Sequence, residues 1–288
     1  MIRVLSWILS AVAIGAGLCG VILFAWQSWP VWPHEGSGYI SGTNWFYRGQ
    51  QFGALPMIYG SLAIAIVALL LSVPLGIGAA ICTAEYLPRR CRVAVKALIE
   101  LLAGIPSVVY GLLGILLLRD WIYDAFEKWE VLSGDTLLTA GVLLAGMVLP
   151  TIVTLADDAI RAIPGAQRAA ARGVGLTRFE TICSVTLPQA GRGLGSAVLL
   201  GFGRAMGETI AVFLVIGRQD NNLPESLWSL RPLIESGQTL TSKLGGSEIN
   251  IAYGDSLHWG ALMGLGLMLL VITGGVTVLG MLWRRANA

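Results

Sequence analysis

The chain has 288 residues, of which 55% are hydrophobic and only 12% charged, with a formal net charge of +2. The mean hydropathy is +0.73, which excludes an ordinary soluble domain and points to an all-α polytopic membrane protein. So small a net charge carries no nucleic-acid signal; the placement of the charges matters more, because it reports topology. Four scattered cysteines, at 19, 82, 91 and 183, and two isolated histidines, His34 and His258, suggest neither a disulfide framework nor a metal site.

A crossing helix needs about 20 apolar residues at about 1.5 Å rise. Six stretches qualify: residues 4–26, 57–86, 93–118, 137–157, 194–216 and 258–283. The first reads as an uncleaved helix rather than a signal peptide, since Trp-rich sequence follows it instead of a small-residue cleavage site. Counting Lys and Arg near the span ends puts twelve on one side and six on the other. The basic side includes Arg3, Arg284 and Arg285, so both termini are expected in the cytoplasm.

After the first span come Trp26, Trp29, Trp32 and Trp45. Aromatics there are expected to anchor at the membrane interface, with contact to an external protein as the alternative. Pro74, Pro106 and Pro150 lie inside predicted spans, where a proline frees a carbonyl and bends the axis. Pro106 sits beside Ser107 and Tyr110, and these three either line a polar cavity or simply mark a bend. Lys96 and Glu100, four apart at the start of the third span, read as a structural pair near the cytoplasmic end.

The fourth-to-fifth connection, residues 164–188, is long, basic and helix-prone. Pro164 suits a helix start, and Gly173 and Gly175 suit its end and a turn into a second short segment. Such an element either lies on lipid headgroups or fits a groove on another protein.

In the fifth predicted span, Arg204 and Glu208 stand between Gly201, Gly203 and Gly207. A charge at bilayer depth costs about 2.5–3.5 kcal/mol on insertion scales, and such residues face a bundle interior or a water-filled cavity. At a spacing of four the two share one helix face. Two readings follow: an ion pair locking helices together, or a polar route with Arg204 at its border and Glu208 orienting it. The glycines remove bulk so that a helix backbone or a solute can come close. Gly260, Gly264, Gly266, Gly274 and Gly275 of the last span are expected to serve close packing.

The 164–188 loop resembles the coupling loop of ABC importer permeases, in which Glu-Ala-Ala, three residues, Gly, nine residues, Ile, one residue and Leu-Pro follow in order. Ala170 and Ala171 match the alanines, Gly175 the glycine, Val185 the Ile position, and Leu187 and Pro188 the end, while Ala169 replaces the Glu. Residues 103–111 and 203–212 are similar to two further motifs of the phosphate-specific importer permeases, the second closer to the C-type than the A-type subunit.

This resemblance implies a type I, MetI-like permease of six spans in a bacterial inner membrane. It implies a heterodimer with a second permease, two ATP-binding subunits at the loop, and a phosphate-binding protein outside. It makes Arg204 and Glu208 the translocation-path candidates, and Pro106, Ser107 and Tyr110 are expected to join them if the third span lines the same cavity rather than simply bending. No phosphate-binding Gly-x-x-x-x-Gly-Lys-[Ser/Thr] loop is present, so any ATP use is expected on another chain, with no cofactor in this one. Alternatives are a permease for another oxyanion such as phosphonate, sulfate or molybdate, a secondary transporter or channel, and a membrane scaffold that moves nothing.

Overall fold

The computed structural model describes residues 2–224 and 229–286. The side chains of Arg3, Arg284 and Arg285, used in the topology count, lie outside the described set, as do that of Trp283 and those of the first residues of the first span. Helix α1 (Ile2–Ser28) leads into two short helices, α2 (Val31–Glu35) and α3 (Gly38–Ser41), and a two-residue antiparallel pair, β1 (Trp45–Phe46) with β2 (Gln51–Phe52). Among the described residues, the named elements that follow are all helical. Helix α4 (Leu55–Ile81) ends in a π-helical turn, Cys82–Tyr86. Next come α5 (Arg89–Ala103), α6 (Ser107–Leu113) and α7 (Arg119–Phe126), the last two joined through a π-helical turn at Gly114–Leu118. Helix α8 (Leu137–Arg161) precedes α9 (Gly165–Gly173) and α10 (Arg178–Thr181); a further π-helical turn, Ile182–Thr186, feeds α11 (Leu187–Gly207). Helices α12 (Ile210–Val215), α13 (Leu240–Leu244), α14 (Glu248–Ala252) and α15 (Ser256–Ala286) complete the chain.

Helices α1, α4, α8 and α15 are each long and apolar enough to cross a membrane, and the α5/α6–α7 pair, bent by 87°, makes a fifth candidate. The expected count of six continuous spans is not reproduced. The third expected span breaks at Gly104–Pro106, where the Pro106 backbone is extended and its ring cannot continue the α5 ladder. The fifth breaks after Gly207: Glu208 is extended, and Thr209 precedes a new helix. Pro74 and Pro150, by contrast, sit inside the continuous helices α4 and α8. Thr154 Oγ1 donates to the Pro150 carbonyl at 2.9 Å.

The centre of the bundle is α4 packed along α8, with α11 against both. Ile64, Ala65 and Ala68 of α4 meet Leu144, Val148 and Ile152 of α8 and Ala205 and Met206 of α11. Small side chains let these axes approach where lipid gives no hydrophobic drive between helices. At the end carrying α9 the core is almost all alanine and isoleucine, Ala80, Ala84, Ala156, Ile160, Ile163 and Ala190. The opposite end is capped by a separate cluster around Tyr39, Trp45, Phe52, Met57, Leu240 and Leu262.

Of the last-span glycines, Gly260 meets the Gln27 carbonyl and Pro30, Gly264 the Tyr39 ring and Gly266 the Phe24 ring, as close packing requires. Gly274 and Gly275 have open space instead. Among the tryptophans, Trp26 and Trp29 are exposed, but Trp45 is 3% exposed and belongs to the far-end cap rather than to an exposed belt.

Candidate translocation site and coupling loop

Arg204 lies on α11, exposed on the flank of this chain, and its Nη1 donates to Thr151 Oγ1 of α8 at 3.1 Å. The close approach that makes this contact possible comes from Gly201, which fits against Ile152 and Val148. Gly203 and Gly207 face open space and leave the surface beside Arg204 free of side-chain bulk. The expected Arg204–Glu208 pair does not form. Spacing of four stacks two residues only while the helix continues, and α11 stops at Gly207. Glu208 instead turns toward the start of α12, where Oε1 accepts from the Ala211 amide at 3.4 Å. Its carbonyl, released by the break, accepts from Thr241 Oγ1 at 3.0 Å. No acidic side chain among the described residues forms an ion pair with Arg204.

Helix α6 packs on α12 through Gly111, against Ala211 and Leu214. The Tyr110 hydroxyl donates to the Leu102 carbonyl at 3.0 Å, bridging the bend between α5 and α6. Ser107 opens α6, half-buried, and Pro106 is exposed in the break. Arg204 and Thr151 are in direct contact, Tyr110 is held at the α5–α6 bend, and Glu208 lies beyond the break in the fifth segment. Thr151 had no sequence signal of its own, since a threonine in an apolar run reads as filler.

The 164–188 segment is built from local signals. Helix α9 starts after Pro164 and ends in a Schellman motif: the Gly175 amide donates to the Arg172 carbonyl at 3.0 Å and the Leu176 amide to Ala171 at 3.2 Å. Gly175 has φ of 91°, which is why glycine stands there. Thr177 and Glu180 then form a capping box that starts α10. Hydrogen bonds from the Thr177 hydroxyl and amide hold the Glu180 carboxyl below the usual glutamate range. Ala171 faces inward, Ala169 and Ala170 face outward, and Val174 and Phe179 are 81% and 68% exposed. Val185 and Leu187 are half-buried in the rise to α11, with Pro188 exposed; the buried members of that turn are Ile182 and Thr186.

Two ionic networks escaped the sequence reading. Lys96 pairs with Asp157 at 2.8 Å and Asp158 at 3.2 Å rather than with Glu100. Asp157 is 1% exposed and also takes Arg161 at 2.8 Å and Thr83 Oγ1 at 3.0 Å. At the far end, buried Lys243 pairs with Asp220 and Glu248, and Glu248 accepts from Trp45 Nε1 at 2.6 Å and meets His258 Nε2 at 2.8 Å. Burial pushes the Glu248 carboxyl up, but Lys243, Trp45 and His258 outweigh it and hold it below the usual range. The stretch from Arg218 to Leu257 therefore has a structural task that its polar sequence did not disclose.

Comparison with known proteins places this geometry. Residues 72–287 match the family described as binding-protein-dependent transport system inner membrane component. A phosphate transport system permease protein PstC of Mesorhizobium japonicum is 33% identical over 89% of this chain and 80% of its own length. The probable ABC transporter permease protein YqgH of Bacillus subtilis is 37% identical over 82% of this chain and 73% of its own. PstC 1 of Mycobacterium tuberculosis is 36% identical over 78% and 70%. Among solved structures, the MetNI methionine ABC transporter aligns with a TM-score of 0.59 at 17% identity, over 80% of this chain and 94% of that one. An alginate ABC transporter aligns at 0.57 and 14%, over 97% and 96%, and both share the fold. The apolar helices, the broken fifth segment and the 164–188 elbow thus sit in a MetI-like frame, and the chain is a multi-pass membrane protein that belongs to the family of binding-protein-dependent transport system inner membrane components.

Proposed function

We propose that the chain is the C-type permease subunit of an ATP-driven phosphate importer and that Arg204 borders the translocation path. The observation that carries this reading is an exposed guanidinium on an apolar bundle with no acidic partner among the described residues. At membrane depth it requires a protein or aqueous neighbour. A second permease seated on the open face of α11, beside Gly203 and Gly207, would enclose it. Phosphate follows from the relatives' names, and the chemistry agrees: one fixed guanidinium attracts an oxyanion yet releases it, whereas a cluster of arginines would retain it. Pro106, Ser107, Tyr110 and Glu208 are assigned to the walls of the same path.

In this reading the α9 end is cytoplasmic, as are both termini, and α9 with α10 docks on two ATP-binding subunits through Val174, Phe179 and the alanine face. The far-end cap faces a phosphate-binding protein outside. ATP is bound and hydrolysed by the partners, whose closure rocks the permease between outward-open and inward-open forms.

The test is ATP-dependent uptake of radiolabelled phosphate by the copurified complex in vesicles. Arg204→Gln is expected to abolish uptake while leaving assembly intact; normal uptake in that variant overturns the path role. Competition by sulfate, molybdate or a phosphonate at lower concentration than phosphate overturns the assignment of cargo.

A further inference from the structure

Glu85 and Tyr86 are consecutive residues in the π-helical turn that ends α4, and each holds one half of the 164–188 segment. Arg168 of α9 pairs through Nε with Glu85 Oε1 at 3.3 Å and donates from a terminal nitrogen to the Ile160 carbonyl. Arg178 of α10 lies over the Tyr86 ring, 4.6 Å from its centroid. The Glu85 side chain is only 4% exposed, so the pair is largely removed from water.

The same turn is gripped from the other side. Arg92 of α5 donates to the carbonyls of Thr83, Ala84 and Leu87 at 2.9, 3.1 and 3.2 Å, satisfying backbone groups that the end of α4 leaves open. Thr83 in turn donates to Asp157 of α8, which Lys96 of α5 also holds. Five residues therefore join α5, α8, α9 and α10 to one point on α4. A π-helical turn costs hydrogen-bond geometry and recurs at functional positions.

We propose that the turn Cys82–Tyr86 receives the displacement of α9 and α10 and passes it to α4 and α5, with Glu85 and Arg168 as the positioning pair. The inference rests on the importer reading above. The pair is held by charge, with Arg168 also anchored on the Ile160 carbonyl. Neither Glu85 Oε1 nor Arg168 Nε has another hydrogen-bond partner among the described residues. Each of these buried charges therefore depends on the other, which is not so of an exposed pair between two flexible side chains. Helix α5 then leads to the bend at which Tyr110 is tied to Leu102. The contacts run from the elbow through the turn and α5 to that bend.

The experiment compares wild type, Arg168→Gln, Glu85→Gln and the double variant as whole complexes in vesicles, reading ATP hydrolysed and radiolabelled phosphate taken up. Both single variants are expected to assemble and hydrolyse ATP near the wild-type rate while transporting about tenfold less phosphate per ATP. The double variant is expected to match the singles, as residues acting in one joint do. An unchanged ratio of phosphate to ATP in either single variant overturns the proposal. So does loss of assembly in both, which would assign the pair to folding. Absence of ATP-driven uptake in the wild-type complex would instead remove the importer reading itself.

Discussion

Arg204 reaches across from α11 to the hydroxyl of Thr151 on α8, 3.1 Å away, and this contact rather than a carboxylate fixes where the guanidinium points. Thr151→Val keeps the shape and removes the acceptor. Hydrogen bonds to charged groups contribute about 1.5–3 kcal/mol, so the variant is expected to lower phosphate uptake about tenfold with ATP hydrolysis and assembly retained. Arg204→Lys keeps the charge but loses the planar fork and is expected to fall between wild type and Arg204→Gln. Uptake assays on the three variants side by side give the order.

Gly175 holds a left-handed backbone between the two halves of the elbow. A Gly175→Ala chain must strain that residue by about 1–2 kcal/mol or abandon the Schellman motif. The expected outcome is weaker recovery of the ATP-binding subunits in a pull-down under mild detergent, with the bundle's thermal stability changed little. Equal recovery from both chains would show that the elbow does not depend on this turn.

The far-end cap is expected to weaken in acid. Glu248 is held below the usual glutamate range, so its contribution to stability is complete above about pH 4.5 and is lost as pH falls through its lowered value. Glu248→Gln leaves Lys243 with Asp220 alone and is expected to cost about 2–3 kcal/mol at neutral pH. The same substitution flattens the acid limb of a Tm-against-pH curve measured on purified protein.

Gly264 lies against the buried Tyr39 ring, whose hydroxyl donates to the Ala261 carbonyl at 2.6 Å. Gly264→Val is expected to destabilise by about 1–3 kcal/mol through overpacking and to displace that hydrogen bond. Gly274→Ala, facing open space on the same helix, is expected to be neutral or to stabilise by up to about 1 kcal/mol. Thermal unfolding of the pair separates packing glycines from the rest.

What could be read ahead of the structure was what is encoded locally. The turn at Gly175 and the run of small and basic residues around it are set by neighbours within six positions, so the elbow was legible. Arg204 stood out because a charge inside an apolar run is rare whatever the fold. Its partner was misread because helical spacing assumes an unbroken helix, and the stop at Gly207 comes from tertiary contacts of Glu208 and Thr209 with α13. Lys96 shows the same limit. Glu100 was the nearest acid along the chain, but Asp157, 61 residues on, is the nearest in space. Glu85 and Asp157 sat at the ends of predicted spans, where an acid reads as solvated, and only the packing of α4, α5 and α8 buries them.

Ala169 occupies an exposed position on α9 where related loops carry a glutamate. If the proposed docking holds, it is expected to rest at that point on excluded water and on exposed Val174 and Phe179 rather than on a carboxylate. Raising ionic strength, which loosens joints made of opposite charges, should leave this one tight. In the proposed complex, a methyl group at this position gives a partner surface neither an anion to pair with nor a hydrogen-bond acceptor to satisfy.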